Sequence, residues 1–445
     1  MQAREHWHSR IGFILAAAGS AVGLGNIWRF PYLAGEHGGG AFLLIYLMCA
    51  FTIGISALFA ELAIGKATSR SPIGAFKALK AGPWTLAAYL GVCAAFLTLS
   101  FYSVVGGWTL AYVVKSVTGA LGGESAESAS DAFGALVSST VEPVLYHGLF
   151  MALVVIVVVP GVRSGIEFAS KWLMPILFIL LLTLILRAVT LPGAAEGLEF
   201  YLRPDFSKVT ATTFVAALSQ AFFSLSVGLG AMITYGSYLG AGSGSLPKAT
   251  TWIAGIDCGV AVLGGLLIFS AVFAFGHDPA AGPSLTFVTL PTVFHEMPGG
   301  ALFATAFFAL LAVAALTSAV SLLEVAVSYM VDQHGVSRRT AAIVLGIAIF
   351  IVGIPSSLSL GPWSDLTLFG LGVMDLADYV TVKLMLPIGS ILLCLYAGWV
   401  VRPHLLDTTS KRDGAYPLTF RIWTVMCRFV APIAITYILI AGLIR

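Results

Sequence analysis

Long apolar runs separated by short polar connections dominate this chain. Segments such as 151–160, 176–191 and 301–315 carry hardly a charge. Extended with their flanks, several reach the roughly 20 residues that an α-helix needs to cross hydrocarbon. A membrane β-barrel would show short alternating segments instead. The pattern predicts an all-α polytopic membrane protein of eleven transmembrane helices, near 11–34, 39–66, 84–119, 144–162, 166–191, 208–239, 249–277, 299–331, 339–355, 366–401 and 418–444.

Composition agrees. Of the 445 residues, 58% are hydrophobic and 10% charged, against about a quarter charged in a soluble domain. A net charge of +2 points to neither nucleic acid nor a strongly acidic partner. Cys49, Cys93, Cys258, Cys394 and Cys427 all lie within apolar segments, without metal-ligand spacing, and read as small buried hydrophobes. Residues 1–10 are polar and the first apolar run is too long for a cleavable signal peptide.

The connections alternate in charge. One side collects Arg4, Arg10, Lys66, Arg70, Lys77, Lys80, Arg163, Lys171, Lys248, Arg338, Arg339, Arg402, Lys411 and Arg412, while the loop after span three carries Glu124, Glu127, Asp131 and Glu142. The positive-inside rule then predicts a multi-pass protein of the cell inner (plasma) membrane with its amino terminus in the cytoplasm.

An internal repeat is more informative. Val22-Gly23-Leu24-Gly25 in span one recurs as Val227-Gly228-Leu229-Gly230 in span six, a helix of opposite direction. Glycines in midspan weaken a helix. One such pair is equally explained by close helix packing; two in register point to interrupted helices and a transport site between inverted halves. Breaks at membrane depth free carbonyls and amides that lipid cannot satisfy. Carbonyls and hydroxyls suit Na⁺, and half-helix ends attract a carboxylate. Ser20, Asn26, Gln220, Ser224, Ser226, Asp257, Thr317 and Ser318 gather on the spans that would meet there. Asp257, Arg29, Asp378 and Glu61 are intramembrane charges that must be paired, neutral or hydrated. Glu61, in span two, is expected to bond the amides freed at the span-six break.

Two stretches carry a resemblance. Gly19-Ser-Ala-Val-Gly-Leu-Gly-Asn-Ile-Trp-Arg-Phe-Pro31 with Gly38-Gly-Gly-Ala-Phe42, and Gln220-Ala-Phe-Phe-Ser-Leu-Ser226 with Thr234-Tyr-Gly-Ser-Tyr238, resemble the signatures of neurotransmitter:sodium symporters. The likeness covers essentially the whole chain. It implies a LeuT fold within one transmembrane domain over 1–445: repeat one about 11–191, repeat two about 208–401, and an extra helix about 418–444. It also implies a transporter, not an enzyme.

Residue by residue, the resemblance implies two Na⁺ ions and one amino acid. One ion would bind the Ala21 carbonyl, Asn26, Ser224, Asp257 and the substrate carboxylate. The other would bind carbonyls of Gly19, Val22 and Ala314 with the hydroxyls of Thr317 and Ser318. The substrate carboxylate would meet the amides of Leu24 and Gly25 and the Tyr102 hydroxyl, and its ammonium the carbonyls of Ala21, Phe223 and Ser226. Leu229 and Leu322 with Phe223 would form apolar walls. Phe223 would close the site, with Arg29 and Asp378 as an outer gate; Arg4 and Asp332, helped by Trp7 and Tyr238, resemble an inner one. Asp375, one turn before Asp378, competes for its role.

Many relatives have asparagine at the place of Asp257 and use chloride; a carboxylate there implies that no chloride is needed, and that a proton occupies it on the empty return step. The apolar walls imply a hydrophobic or aromatic amino acid. Partners are then the substrate and the lipid bilayer, with no nucleic acid, as a monomer or weak oligomer. The competing expectations are a sodium-independent amino-acid exchanger of the same architecture and a non-transporting amino-acid sensor. The first leaves Asp257 and Thr317-Ser318 without a reason to sit near the breaks.

Overall fold

A computed structural model describes residues 5–121, 125–240, 244–280, 282, 285–401 and 418–443. Eight single helices are long and apolar enough to cross a bilayer: Gly40–Thr68, Gly82–Thr118, Val162–Ala188, Leu246–Ala274, Gly300–His334, Arg338–Leu358, Val373–Val400 and Leu418–Leu443. These are predicted spans two, three, five and seven to eleven. Span four is Glu142–Val158, entered at a 75° bend from Glu127–Ser138.

Spans one and six are interrupted where the paired glycines stand. Ser9 starts the first, its hydroxyl accepting from the Gly12 amide at 3.0 Å, an N-cap that satisfies an otherwise orphaned donor. The helix Arg10–Ala21 stops as Val22 turns extended (φ −71°, ψ 111°), then resumes as Gly25–Glu36 after a 50° bend. Span six runs Ala211–Ser224, loses helical form over 225–230, and resumes as Ala231–Ser237. Within that break Ser226, Gly228 and Gly230 have φ of 53°, 88° and 73°. The left-handed region costs a glycine nothing, so the Gly-Leu-Gly run is what lets the chain turn there.

The seven-residue second half of span six lies tightly on span two. A Cβ built on Gly236 would stand 2.6 Å from the Leu62 carbonyl oxygen, and one on Gly65 would stand 2.9 Å from the Ser237 nitrogen. Only glycine allows backbones so close. Span two also supplies the Glu61 carboxylate, which accepts from the amides of Gly228 (2.6 Å) and Met232 (3.2 Å). The buried amides of the break thus find a partner inside the protein, as membrane burial demands.

The connections depart from expectation. Segments read as loops contain the helices Pro72–Ala78, Glu127–Ser138, Ala194–Leu202 and Leu290–Glu296. Predicted span ten starts too early: Thr367–Leu368 (β1) and Leu371–Gly372 (β2) pair antiparallel, and helix begins only at Val373. Phe369 and Gly370, with φ of 54° and 78°, make a two-residue turn of the kind that joins hairpin strands.

Candidate functional site

The two breaks face each other at the centre of the molecule. Between them lies a cavity of about 360 Å³ lined by Ala21, Gly23, Gly25, Thr98, Tyr102, Phe223, Ser224, Ser226, Leu229, Ser318 and Leu322. No side chain in that lining is charged. The freed groups of span one are turned toward this space. The Leu24 amide donates to the Tyr102 hydroxyl at 3.1 Å, and the Gly23 amide to Asn26 Oδ1 at 3.0 Å. A Cβ on Gly23 would stand 2.8 Å from the Tyr102 hydroxyl oxygen, so a side chain there would fill the cavity.

On one side of the cavity Asp257, fully buried in span seven, gathers polar groups from three other spans. Ser224 donates to Asp257 Oδ1 at 2.8 Å, Asn26 Nδ2 donates to the same oxygen at 2.7 Å, and Tyr46 donates to Oδ2 at 3.4 Å. Asn26 Nδ2 also lies 3.0 Å from the Ser224 hydroxyl and from the Asp257 carbonyl. The arrangement is a carboxylate, an amide and a hydroxyl on one spot, next to the Ala21 wall.

On another side span eight meets the first break. Ser318 Oγ donates to the carbonyls of Ser20 (3.0 Å) and Val22 (3.1 Å). Thr317 Oγ1 lies 3.4 Å from the Val22 carbonyl and 3.0 Å from that of Ala314. A Cβ on Gly19 would stand 3.3 Å from the Thr317 Cβ, so Gly19 faces the same place. This donor set is all hard, neutral oxygen, the kind that suits an alkali cation; among the described residues no cluster of three His, Cys, Asp or Glu offers an alternative metal site. The second break joins the first through Ser226, whose hydroxyl donates to the Ser20 carbonyl at 3.1 Å.

Above the cavity, Phe223 rests against Gly25, whose Cβ would be 3.1 Å from its ring, and the Arg29 guanidinium lies over that ring at 4.7 Å from its centre. The expected direct pair of Arg29 with Asp378 is not formed. Arg29 is committed to the ring instead, a cation–π contact, and its Nη1 is buried without a hydrogen-bond partner. Gln220 Nε2 holds the Gly25 carbonyl at 2.7 Å, and its Oε1 is likewise unpartnered.

The face that carries the amino terminus is closed. Trp7 donates from its backbone to the Tyr238 carbonyl (3.2 Å) and from its indole to the Tyr235 carbonyl (2.9 Å), with its ring edge-on to both tyrosines. Asp332 accepts from the Ser71 amide at 2.6 Å. Arg4, expected opposite it, lies outside the described residues. A second network was not anticipated from sequence. Tyr238 donates to Glu324 at 2.5 Å, Arg338 forks onto the same carboxylate at 3.0 and 2.5 Å, and Glu5 stands 3.7 Å from Arg338. Glu5 also accepts from the Val162 amide at 2.5 Å, while Glu167 accepts from His8 (2.6 Å) and Ser9 (2.9 Å) and pairs with Lys171 (2.7 Å). Six spans and the amino-terminal segment are tied together here.

Comparison with known proteins bears on the same chain. A profile of the sodium:neurotransmitter symporter family matches residues 4–132 and 138–445. The sodium-dependent transporter YhdH of Bacillus subtilis is 41% identical over 433 residues, 96% of this chain and 95% of the relative. A sodium-dependent transporter of Haemophilus influenzae is 36% identical over 453 residues, 99% and 98% of the two chains. The crystal structure of MhsT in complex with L-phenylalanine superposes with a TM-score of 0.91 at 44% identity, covering 99% of this chain and 100% of that one. With its interrupted helices, matched profile and near-complete overlap, this chain belongs to the sodium:neurotransmitter symporter family: it is a multi-pass membrane transporter of the LeuT fold, not an enzyme.

Proposed function

We propose that this protein moves a hydrophobic or aromatic amino acid into the cell together with two Na⁺ ions, by alternating access and without chloride. The observation that carries the substrate class is the central cavity, which combines backbone from both breaks with Leu229, Leu322 and Phe223 and has no charged side chain in its wall. At about 360 Å³ it sits at the small end of ligand pockets, roughly 300–1,000 Å³, which favours one amino acid over a peptide. The presence of L-phenylalanine in the MhsT crystal supports the same class.

In this reading the Leu24 and Gly25 amides and the Tyr102 hydroxyl receive the substrate carboxylate. The carbonyls of Ala21, Phe223 and Ser226 receive the ammonium. Asn26, Ser224, Asp257 and the Ala21 carbonyl hold one Na⁺ against that carboxylate. Because one ion is ligated by the substrate itself, each strengthens the other's binding by the same free energy, which is the coupling that symport needs. Thr317 and Ser318 with the carbonyls of Gly19, Val22 and Ala314 hold the second, joining span eight to span one, and its release frees the two to separate. Phe223 closes the pocket on one side, where Arg29 and Asp378 serve as gate. Trp7 and Tyr238, with Arg4 and Asp332, close it on the other.

Asp257 supports the chloride claim. Two cations in a low-dielectric site need nearby compensation, and the carboxylate supplies it where a neutral residue would leave room for an anion. The basic connections on the amino-terminal side favour a cytoplasmic amino terminus in the inner membrane. The test is uptake of labelled amino acids into proteoliposomes with and without a sodium gradient, in chloride and in gluconate. Sodium-driven uptake of leucine, tyrosine or tryptophan, unchanged in gluconate, is expected. Stronger competition by glutamate or lysine would overturn the substrate class, and collapse in gluconate would overturn the chloride claim.

A further inference from the structure

We propose that the hairpin between spans nine and ten is an interfacial anchor that sets Leu368 and Phe369 into the lipid leaflet on the side opposite the amino terminus. This inference needs only that the chain spans a membrane and is independent of the substrate.

Residues 362–370 are exposed without interruption, yet the apolar content is high: Trp363 is 40% exposed, Leu366 and Leu368 each 56%, and Phe369 89%. An apolar tract of this kind facing water would be an interaction site. What covers it follows from where it starts. The outward stripe of span nine, Val344, Ile347 and Ile351 at helical spacing, is exposed to 58%, 54% and 57%, and within a spanning helix such a stripe meets lipid. Leu360, 44% exposed, continues that surface past the end of the helix at Leu358, and Trp363, Leu366, Leu368 and Phe369 extend it.

The turn itself argues for purpose. Phe369 takes φ of 54° and Gly370 of 78°. A hairpin turn with both central residues in the left-handed region favours Asn-Gly, and a bulky residue at positive φ is an outlier that the surroundings must hold. Here the tip carries the largest apolar side chain it can, at the position most remote from the protein. Depth is bounded from both directions. Unpaired strand groups are not tolerated in hydrocarbon, and Asp365 is exposed beside the strand, so the hairpin rests at headgroup level with its tip below. Tryptophan is enriched at that level. The hairpin runs directly into Val373–Asp378, so its seat in the leaflet fixes the start of span ten.

A probe tests this. Leu368→Cys in a Cys93→Ser background, labelled with an environment-sensitive nitrobenzoxadiazole group and placed in phosphatidylethanolamine–phosphatidylglycerol vesicles, should show blue-shifted emission. Lipids spin-labelled near the headgroup should quench it and aqueous iodide should not. Val344→Cys serves as lipid reference and Asp131→Cys as water reference. Adding Phe369→Asn keeps the turn, because asparagine accepts its backbone, and should move the Leu368 probe toward the water reference. Emission equal to that of the Asp131 probe, with iodide access, would overturn the anchor. So would indifference to Phe369→Asn, or self-quenching that grows with protein-to-lipid ratio, which would assign the tip to a second copy of the chain.

Discussion

Replacing Asp257 by asparagine removes one charge and almost no volume, which makes it the sharpest probe of how the site balances its cations. The carboxylate accepts from Ser224 at 2.8 Å and Asn26 at 2.7 Å, both proposed ligands of the first ion, so an ion between them would lie within about 4 Å of it. Two unit charges at that distance attract by about 4 kcal/mol at an effective dielectric of about 20. The neutral amide needs less desolvation, which returns part of this. We therefore expect a net loss of about 1.4 to 2.8 kcal/mol, a roughly ten- to hundredfold rise in the sodium concentration for half-maximal uptake. The amide also leaves the site short of one negative charge, so external chloride should restore part of the loss in the variant and do nothing in the wild type. The assay is initial uptake of labelled leucine in proteoliposomes across a sodium series, in chloride and in gluconate. An asparagine variant with wild-type sodium dependence in both salts would refute the reasoning.

Four further outcomes follow from the geometry. Thr317→Ala removes an oxygen that faces the Val22 carbonyl, and should raise the sodium requirement about tenfold and lower the steepness of the sodium curve toward one ion; a curve of unchanged steepness would refute its role. Leu322→Phe narrows the cavity wall and should cost tryptophan and phenylalanine far more uptake than alanine, read by competition against labelled leucine. Arg338→Gln leaves Glu324 buried with only Tyr238, and breaking one side of a buried pair costs about 3–5 kcal/mol; a cysteine placed at Trp7 should then react faster with a membrane-impermeant thiol reagent from the amino-terminal side. Glu61→Gln turns an N–H toward the amides of Gly228 or Met232 and should lower thermal stability by about 1–3 kcal/mol, seen as a lower midpoint of unfolding in detergent, even where substrate is absent.

The paired Val-Gly-Leu-Gly runs made the breaks legible, because glycine beside glycine at membrane depth has few other uses. Asp257 and Thr317-Ser318 were legible because a charge or a hydroxyl pair in an apolar run needs a partner. Glu324 carried the same signal, a carboxylate amid the apolar residues of span eight, and was passed over; its partner Arg338 read as one more basic residue of a connection. Thr98 and Tyr46 had no signal to give. Their helices are apolar on every side, so nothing in the spacing says which residues face the cavity and which face a neighbour. The hairpin at 367–372 was hidden for a related reason: Leu366, Leu368 and Phe369 supply a span's hydrophobicity, and only the left-handed turn at Phe369-Gly370 breaks the helix. The short helices between spans were obscured by their charges, which marked them simply as connections. Arg29 shows the limit of pairing by charge alone, since an aromatic face took the place of the carboxylate.

The half-helix Ala231–Ser237 has too few turns to stand as an independent lever. Glu61 clasps its first amides, and Gly65 and Gly236 let it lie backbone to backbone on span two. Whatever rotation opens the amino-terminal side must therefore carry both segments as one rigid plate, with the hinge upstream, among the left-handed residues at Ser226, Gly228 and Gly230. A single methyl added at Gly236 would wedge that plate apart, and transport would stop although every group that touches the cargo remained in place.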